Sequence, residues 1–291
     1  RAITLSRDVR MLAATSSETN TSVFSRKEGY LIREIPESSA YGVAFSPDSQ
    51  TLAIGADDKI SLWNVSSRLI NRVLEGQEGG IFSLAFSPDG NLLASGGEGT
   101  IHLWKLPEGH LLDTAQDNDL HFVDAIKELT FSPEGRHLVS TSVEGGKVWM
   151  IEDESQLVLK RILNPRADTA DFSPDGKMLA VSGVGMDIEI YDTANFTLMK
   201  IIPFRSSPDS NRGTSTLRFI DGGDALVVGE LGIDDYTAGL QVIDVQSSET
   251  VLALDGSGTE VYAIETAFDG QFAIGLTSGV SDYIIYWRLE E

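Results

Sequence analysis

The sequence predicts an all-β chain, a seven-bladed β-propeller of four-stranded antiparallel blades whose last blade lacks its outer strand. Three observations carry that expectation. A short phrase returns at a nearly constant interval, an aromatic slot returns in step with it, and short alternating runs between turn residues replace long helical periodicity.

The phrase AFSPDSQTLA at Ala44–Ala53 returns as AFSPDGNLLA at Ala85–Ala94, TFSPEGRHLV at Thr130–Val139 and DFSPDGKMLA at Asp171–Ala180. Weaker copies are LSRDVRMLA at Leu5–Ala13, RFIDGGDALV at Arg218–Val227 and AFDGQFAI at Ala267–Ile274. Their leading positions are Leu5, Phe45, Phe86, Phe131, Phe172, Phe219 and Phe268, spaced 40, 41, 45, 41, 47 and 49 residues apart. That matches the period of about 40–45 residues expected of propeller blades. The second ladder reads Phe24, Trp63, Trp104, Trp149, Tyr191, Ile243 and Trp287, and it takes in all 4 tryptophans of the chain.

Each copy divides in the same way. Strand a precedes the Phe-Ser-Pro-Asp turn, because proline pre-sets φ and Asp-Gly supplies the reversal. Strand b follows the turn, strand c ends on the aromatic slot, and strand d is an apolar run such as Leu31–Ile35, Leu69–Leu74 or Leu157–Leu163. Residues 1–291 then form one domain, with blades at roughly 1–36, 37–76, 77–115, 116–163, 164–204, 205–255 and 256–291. Ala2–Leu5 reads as strand a of the first blade and Ile284–Leu289 as strand c of the seventh. A segment upstream of Arg1, or a partner strand, is expected to complete that last blade, since an open three-stranded sheet leaves an unpaired edge.

Composition narrows the function. The formal net charge of −22, from 44 acidic and 22 basic residues, repels phosphate backbones and anionic lipid. Nucleic acid and direct membrane insertion are not expected, and no apolar run approaches the roughly 18 residues of a spanning helix. A protein partner with basic surface is expected. The absence of cysteine removes disulfides, thiolate metal sites and cysteine nucleophiles. The compartment stays open, with a cytoplasmic location the first expectation.

The repeated phrases and the Trp slot resemble the WD-repeat family over nearly the whole chain. The resemblance implies a ring that scaffolds other proteins, with no catalytic residue and no cofactor. Family members join a histidine, a Ser or Thr of strand b, an Asp of the b–c turn and the strand-c Trp in a hydrogen-bonded tetrad. Ser95 and Trp104 match that pattern, Gln77 stands at the histidine place, and Asp57, Glu98 and Glu144 align only roughly with the turn Asp. Asn64, Lys105 and Met150 follow the Trp where the family has Asp; only Tyr191-Asp192 keeps the acid. An incomplete tetrad in every blade, and a divergent, bacterial-like member, are therefore expected.

Catalytic and metal sites are not expected. His102 occupies a routine strand position, His110 and His137 fall in turns expected to be exposed, and His121 lies in an inserted loop. The acidic pairs Asp57-Asp58, Asp117 with Asp119, and Asp234-Asp235 lack the spacing of a calcium loop. Gly96-Gly97 and Gly183 with Gly185 read as turn glycines, without the strand–loop–helix setting of a phosphate cradle.

Departures from the repeat are more informative, because binding concentrates in loops that differ between repeats. The three insertions are Thr114–Asp124, Pro203–Thr214 and Glu230–Ala238. They carry the candidate partner-binding residues Leu120, His121, Phe122, Phe204, Arg205, Arg212, Ile233, Asp234, Asp235 and Tyr236, a mixture of aromatic, aliphatic, arginine and acidic groups typical of interfaces. The expected function is a non-catalytic protein-interaction scaffold or subunit of a larger assembly. The alternatives are a ligand-binding, metal-binding or hydrolytic propeller using its central channel, and the sensor domain of a larger protein.

Overall fold

The structure, a computed structural model, describes residues 2–15, 20–26, 29–37, 40–116, 125–142, 144–183, 185–204, 213–231, 239–255, 260–266, 272–278 and 283–288. The chain packs as two compact units, Arg1–Ser142 with Lys147–Lys160, and Val143–Gly146 with Arg161–Glu291.

In the first unit, β1 (Ile3–Leu5), β2 (Met11–Ala14), β3 (Thr21–Ser25) and β4 (Leu31–Ile35) form one four-stranded antiparallel sheet. The second sheet is β5 (Ala40–Phe45), β6 (Thr51–Ala56), β7 (Lys59–Asn64) and β8 (Leu69–Glu75). The third is β9 (Ser83–Phe86), β10 (Leu92–Gly96), β11 (Thr100–Lys105) and β12 (His110–Gln116). In the fourth sheet, β13 (Glu128–Phe131), β14 (His137–Ser142), β15 (Gly145–Glu152) and β16 (Gln156–Ile162), the division between the units falls.

The second unit continues with β17 (Thr169–Phe172), β18 (Met178–Ser182), β19 (Ile188–Asp192) and β20 (Thr197–Ile202). Next come β21 (Gly213–Ile220), β22 (Ala225–Leu231), β23 (Gly239–Asp244) and β24 (Thr250–Asp255), with a single 3-10 turn at Asp221–Gly223. The last strands, β25 (Glu260–Thr266), β26 (Phe272–Ser278) and β27 (Tyr283–Arg288), form a three-stranded sheet. The described residues thus hold six complete four-stranded blades in a β-propeller arrangement, where the repeat count predicts seven blades. The copy around Phe268 lies outside the described residues and lacks the Ser-Pro-Asp turn that anchors the stronger repeats.

Stacking of sheet on sheet makes the core. Within the first unit, Val23, Ile35, Phe45, Leu52, Ile54 and Trp63 cluster between the first two blades, and Ile60, Leu74, Leu84, Leu93 and Trp104 between the next two. In the second unit Ile190, Ile202, Phe219, Leu226 and Ile243 do the same. The repeat phenylalanines Phe45, Phe131, Phe172 and Phe219 are buried and Phe86 is half-buried, so the first sequence ladder marks core positions. Side chains of strand a also bind one blade to the next. Ser83 Oγ donates to Ile126 O at 2.9 Å, and Asp171 Oδ2 accepts from Phe219 N at 2.8 Å.

The a–b turn is a small hydrogen-bonded unit. In Ser87–Leu92, Ser87 Oγ donates to Asp89 Oδ1 at 2.6 Å and accepts from Leu92 N at 2.9 Å, while Asp89 Oδ1 accepts from Asn91 N at 3.1 Å. The same bonds recur at Ser6 with Asp8, Ser46 with Asp48 and Ser173 with Asp175. The residue after the acid is left-handed in the first five copies: Val9 at φ 61°, Ser49 at 60°, Gly90 at 75°, Gly135 at 75° and Gly176 at 72°. Glycine adopts that region freely, whereas a β-branched residue is strained there. Val9→Gly should therefore raise the unfolding free energy, read by urea titration, by up to about 1 kcal/mol net of the extra glycine entropy. Gly90→Val should lower it by about 1–2 kcal/mol, although a Cβ there would meet Pro47 only at an ordinary 3.6 Å.

These turns also set an acid limit on stability. The Lys177 backbone N–H, the Ser173 hydroxyl and the Lys177 side chain hold the Asp175 carboxyl down at about 2, and the Ser87 hydroxyl leads the groups that lower Asp89. Both shifts favour the folded state once the unfolded carboxyl is ionised, so their contribution is present above about pH 4. It is lost as pH falls through the folded values. Urea unfolding of the wild type and Asp175→Asn should show a stability gap at pH 7 that narrows below pH 4 and closes towards pH 2.

Candidate functional site

Of the residues expected to bind a partner, Phe204 lies within the described residues. Its backbone N–H donates to Asp187 Oδ1 at 3.0 Å, and its ring packs half-buried against the cluster of Ile190 and Phe219, so it supports the core. Leu120, His121, Phe122, Arg205, Arg212, Ile233, Asp234, Asp235 and Tyr236 lie outside the described residues. The insertions are shorter than the sequence suggests. Thr114–Gln116 complete β12, Gly213 and Thr214 open β21, and Glu230 and Leu231 end β22. The register pairs Gly213 with Leu231 and Gly239 with Asp255. Connections 205–212, 232–238 and 256–259 therefore all leave from one end of the sheet β21–β24.

The strand-c slot is the best-defined polar feature, and its chemistry changes from blade to blade. In the third blade Trp104 Nε1 donates to Ser95 Oγ at 2.8 Å, and Ser95 Oγ donates to Gln77 Oε1 at 2.5 Å. Gln77 Nε2 returns a bond to Ser95 O at 3.3 Å. All three side chains are buried, and Gln77 accepts the serine hydroxyl at the place where the resemblance puts a histidine. Gly97 makes room for it, since a Cβ there would fall 2.8 Å from Gln77 Nε2. Gly96 and Gly97, read from sequence as turn glycines, are thus positions of close packing, and Gly96 is the last residue of β10. Glu98 is exposed and does not join the relay.

The fourth blade keeps half of the relay, Trp149 Nε1 to Ser140 Oγ at 2.9 Å. The fifth substitutes different chemistry: Tyr191 OH donates to Glu189 Oε2 at 2.5 Å, and Asn164 Nδ2 donates to Glu189 Oε1 at 2.8 Å. Burial and the adjacent carboxylate push the Tyr191 phenol far above its usual range, so it stays a donor. In the second blade Ile54 occupies the place of Ser95, and Trp63 Nε1 is buried without an acceptor among the described residues. His102 is buried beside Trp104, ring centroids 5.6 Å apart, and burial lowers its pKa.

On the a–b turn side of the first unit, an open cleft of about 1090 Å³ lies between the turns of the third and fourth blades. Lys105, Arg136 and His137 line it together with Asp89, Glu134 and Asp153. Nothing in the repeat pattern marks this cleft, because the residues that shape it occupy equivalent turn positions in different repeats. His137, expected in an exposed turn, opens β14 with its side chain only 19% exposed, and its Nδ1 lies 3.1 Å from Glu134 Oε1. Burial opposes ionisation of Glu134, but its own backbone N–H, His137 and Ser132 outweigh that and hold the carboxyl below its ordinary value.

Ser132, Glu134 and His137 have the composition of a hydrolytic triad but not its roles. Ser132 is fully buried, and its Oγ accepts from the His137 backbone N–H at 3.0 Å. Ser46, Ser87 and Ser173 make the equivalent bond in turns that carry no histidine. The group is the turn staple, whereas a nucleophile must face a substrate and its base. Among the described residues, no group of three or more His, Asp or Glu gathers in a way that could hold a metal ion, and no helix is long and apolar enough to cross a membrane.

Antiparallel four-stranded blades, five of which carry an aromatic on strand c and a Ser–acid staple between strands a and b, define a repeat-built β-propeller. Residues 29–64 and 69–105 match the family described as WD domain, G-beta repeat, so the chain carries WD repeats. Each match runs from strand d of one blade through strand c of the next and ends one residue past the tryptophan. No curated protein matches the chain.

The relay gives a direct test. Ser95→Ala leaves Trp104 Nε1 and Gln77 Oε1 unpaired in a buried setting and should cost about 2–3 kcal/mol. Ser140→Ala strands the Trp149 indole alone and should cost about half as much. Urea unfolding followed by tryptophan fluorescence reads both.

Proposed function

We propose that this chain is a non-catalytic protein-interaction scaffold, a subunit or module of a larger assembly, that binds through its long connections. The observation that carries the reading is the register of the sixth blade. Pairing of Gly213 with Leu231 brings two of the three departures from the repeat, Pro203–Thr214 and Glu230–Ala238, to one end of one sheet. Loops that break a repeat while the strands keep it are where repeat proteins carry binding. The WD repeats support the same reading, since propellers of this kind typically serve as interaction platforms. Arg205, Arg212, Ile233, Asp234, Asp235 and Tyr236 supply the contacts from that end, and Leu120, His121 and Phe122 supply them from the insertion before β13.

The partner carries basic surface, complementary to a chain of net charge −22. A second mode of attachment is strand addition at β27, the edge of the three-stranded sheet, from a partner or another segment. Affinity purification from the native source, with the wild type and with 232–238 replaced by a short glycine-containing turn, tests the reading. The wild type should retain a stoichiometric protein partner and the variant should lose most of it at unchanged thermal midpoint. Full retention by the variant would remove this end of the sixth blade from the interface.

A further inference from the structure

The a–b turn end of the first unit carries two clefts, and they adjoin. The larger, of about 1090 Å³, lies between the third and fourth blades, and one of about 460 Å³ lies between the second and third. Asp89, Asn91, Leu106 and Pro107 line both, so the a–b and c–d turns of the third blade are their common wall. Together they make one track across three blades. Stacked sheets lie about 10 Å apart and an extended chain covers about 3.3 Å per residue, so about six residues of extended chain would follow it from end to end. Pockets for small molecules hold about 300–1,000 Å³; an open track of this extent fits a chain segment better.

The lining of the larger cleft has two parts. Leu106 is buried there, and Pro88, Met150 and Ile151 are half-buried. The carboxylates of Asp89, Glu108, Glu134, Asp153 and Glu154 are exposed around this sunken apolar surface, against Lys105, Arg136 and His137. Among the described residues the carboxylates of Glu108, Asp153 and Glu154 take no hydrogen bond and no ion pair, so their charge is not neutralised from within the cleft.

Asp153 and Glu154 reach this place through a break in the repeat. The c–d turns of the second, third and sixth blades close with a bond back over four residues, Arg68 N to Asn64 O, Gly109 N to Lys105 O and Ser248 N to Asp244 O. The fourth blade has a tighter turn: Ser155 N donates to Glu152 O at 3.0 Å, and Asp153 and Glu154 are both left-handed, at φ 49° and 55°. That geometry favours Asn-Gly or Asp-Gly, and a glutamate is strained in it. A strained residue where glycine would relieve the strain directs attention to what its side chain does.

We propose that this track binds an extended peptide segment of a partner protein that carries lysine or arginine. Such a side chain has an apolar stem and a cationic tip, which match a sunken apolar surface edged with carboxylates. The site is built from the second, third and fourth blades and does not depend on the sixth-blade connections of the scaffold reading. Other occupants fit less of it. An acidic peptide or a nucleic acid would meet unpaired carboxylates. A metal ion needs ligands that gather, and among the described residues no such group forms.

The probe is a dye-labelled peptide of alternating lysine and alanine, about eight residues long. It is titrated with the whole chain and followed by fluorescence anisotropy, with the glutamate–alanine peptide as the acidic arm. Saturable binding of the lysine peptide is expected, with the glutamate peptide roughly tenfold weaker or more. Asp153→Asn with Glu154→Gly removes two charges and installs the pair that the turn prefers. Its thermal midpoint should hold or rise while affinity falls about fivefold or more. Asp57→Asn with Asp58→Asn removes the same charge from the exposed b–c turn of the second blade and should change affinity less than about twofold. That pair separates the cleft from the general field of an acidic chain. If the Asn-Gly variant fails to fold, Glu108→Gln with Asp153→Asn takes its place, with the same loss expected. Absence of saturable binding, equal affinity for the glutamate peptide, wild-type affinity in the folded cleft variant, or an equal loss in the b–c turn variant would each overturn the proposal.

Discussion

Trp104 and Trp149 are each more than nine-tenths buried against an adjoining sheet, and a serine one strand away receives each indole N–H. The rest of the architecture depends on this contact. A four-stranded sheet has two faces and cannot bury either alone, so it is stable only when the next sheet covers it in a fixed register. The large aromatic fixes how far strand c of one blade sinks towards its neighbour. The polar tip fixes its rotation, because an indole N–H inside the stack must be paired or be paid for elsewhere. The exchange of Trp104–Ser95–Gln77 for Tyr191–Glu189–Asn164 shows that the constraint is satisfaction of the buried donor rather than any one residue set.

The aromatic slot also governs the outer edge. In five blades the pairing of strands c and d shifts at the step onto the slot, between Val23 and Phe24, Leu62 and Trp63, Leu103 and Trp104, Ile190 and Tyr191, and Val242 and Ile243. Each shift leaves an extra residue in strand d, among them Met199 and Val251, which are 60% and 63% exposed. The outer strands carry further exposed apolar groups, Leu69, Ile70 and Ile201 among them. An edge with that composition would template pairing with other chains if it were flat, and a bulge twists it away from flatness. The repeated bulge therefore guards edges that the fold cannot cover.

Function follows from where the repeat is broken. Strands and a–b turns are held to one pattern by stacking, so variation is tolerated at connections and at slots whose hydrogen bonding has eroded. The long connections around the sixth blade are one such place, and the Ile54–Trp63 slot is the other.

Much of this was legible in the sequence. The seven copies of the phrase located strands a and b, and the aromatic ladder located strand c, because turn chemistry and alternation are local properties of the chain. Their count of seven blades, the last without its outer strand, is corrected to six, because among the described residues the strands after β24 form a sheet of three. Gln77, put at the histidine place by resemblance, meets Ser95 in the structure. The consequence of Ile54 was not legible, because the Arg33 guanidinium that lies over the Trp63 ring comes from a different blade. The loop residues named for binding were found by their departure from the repeat, and of these the structure describes Phe204, which serves the core instead. The sequence by itself determined the blade pattern, the turns and the register within each sheet. Only the tertiary structure decided which buried donors go unpaired, where the strand-d bulges fall and where cavities open, because those depend on side chains that meet only when one blade stacks on another.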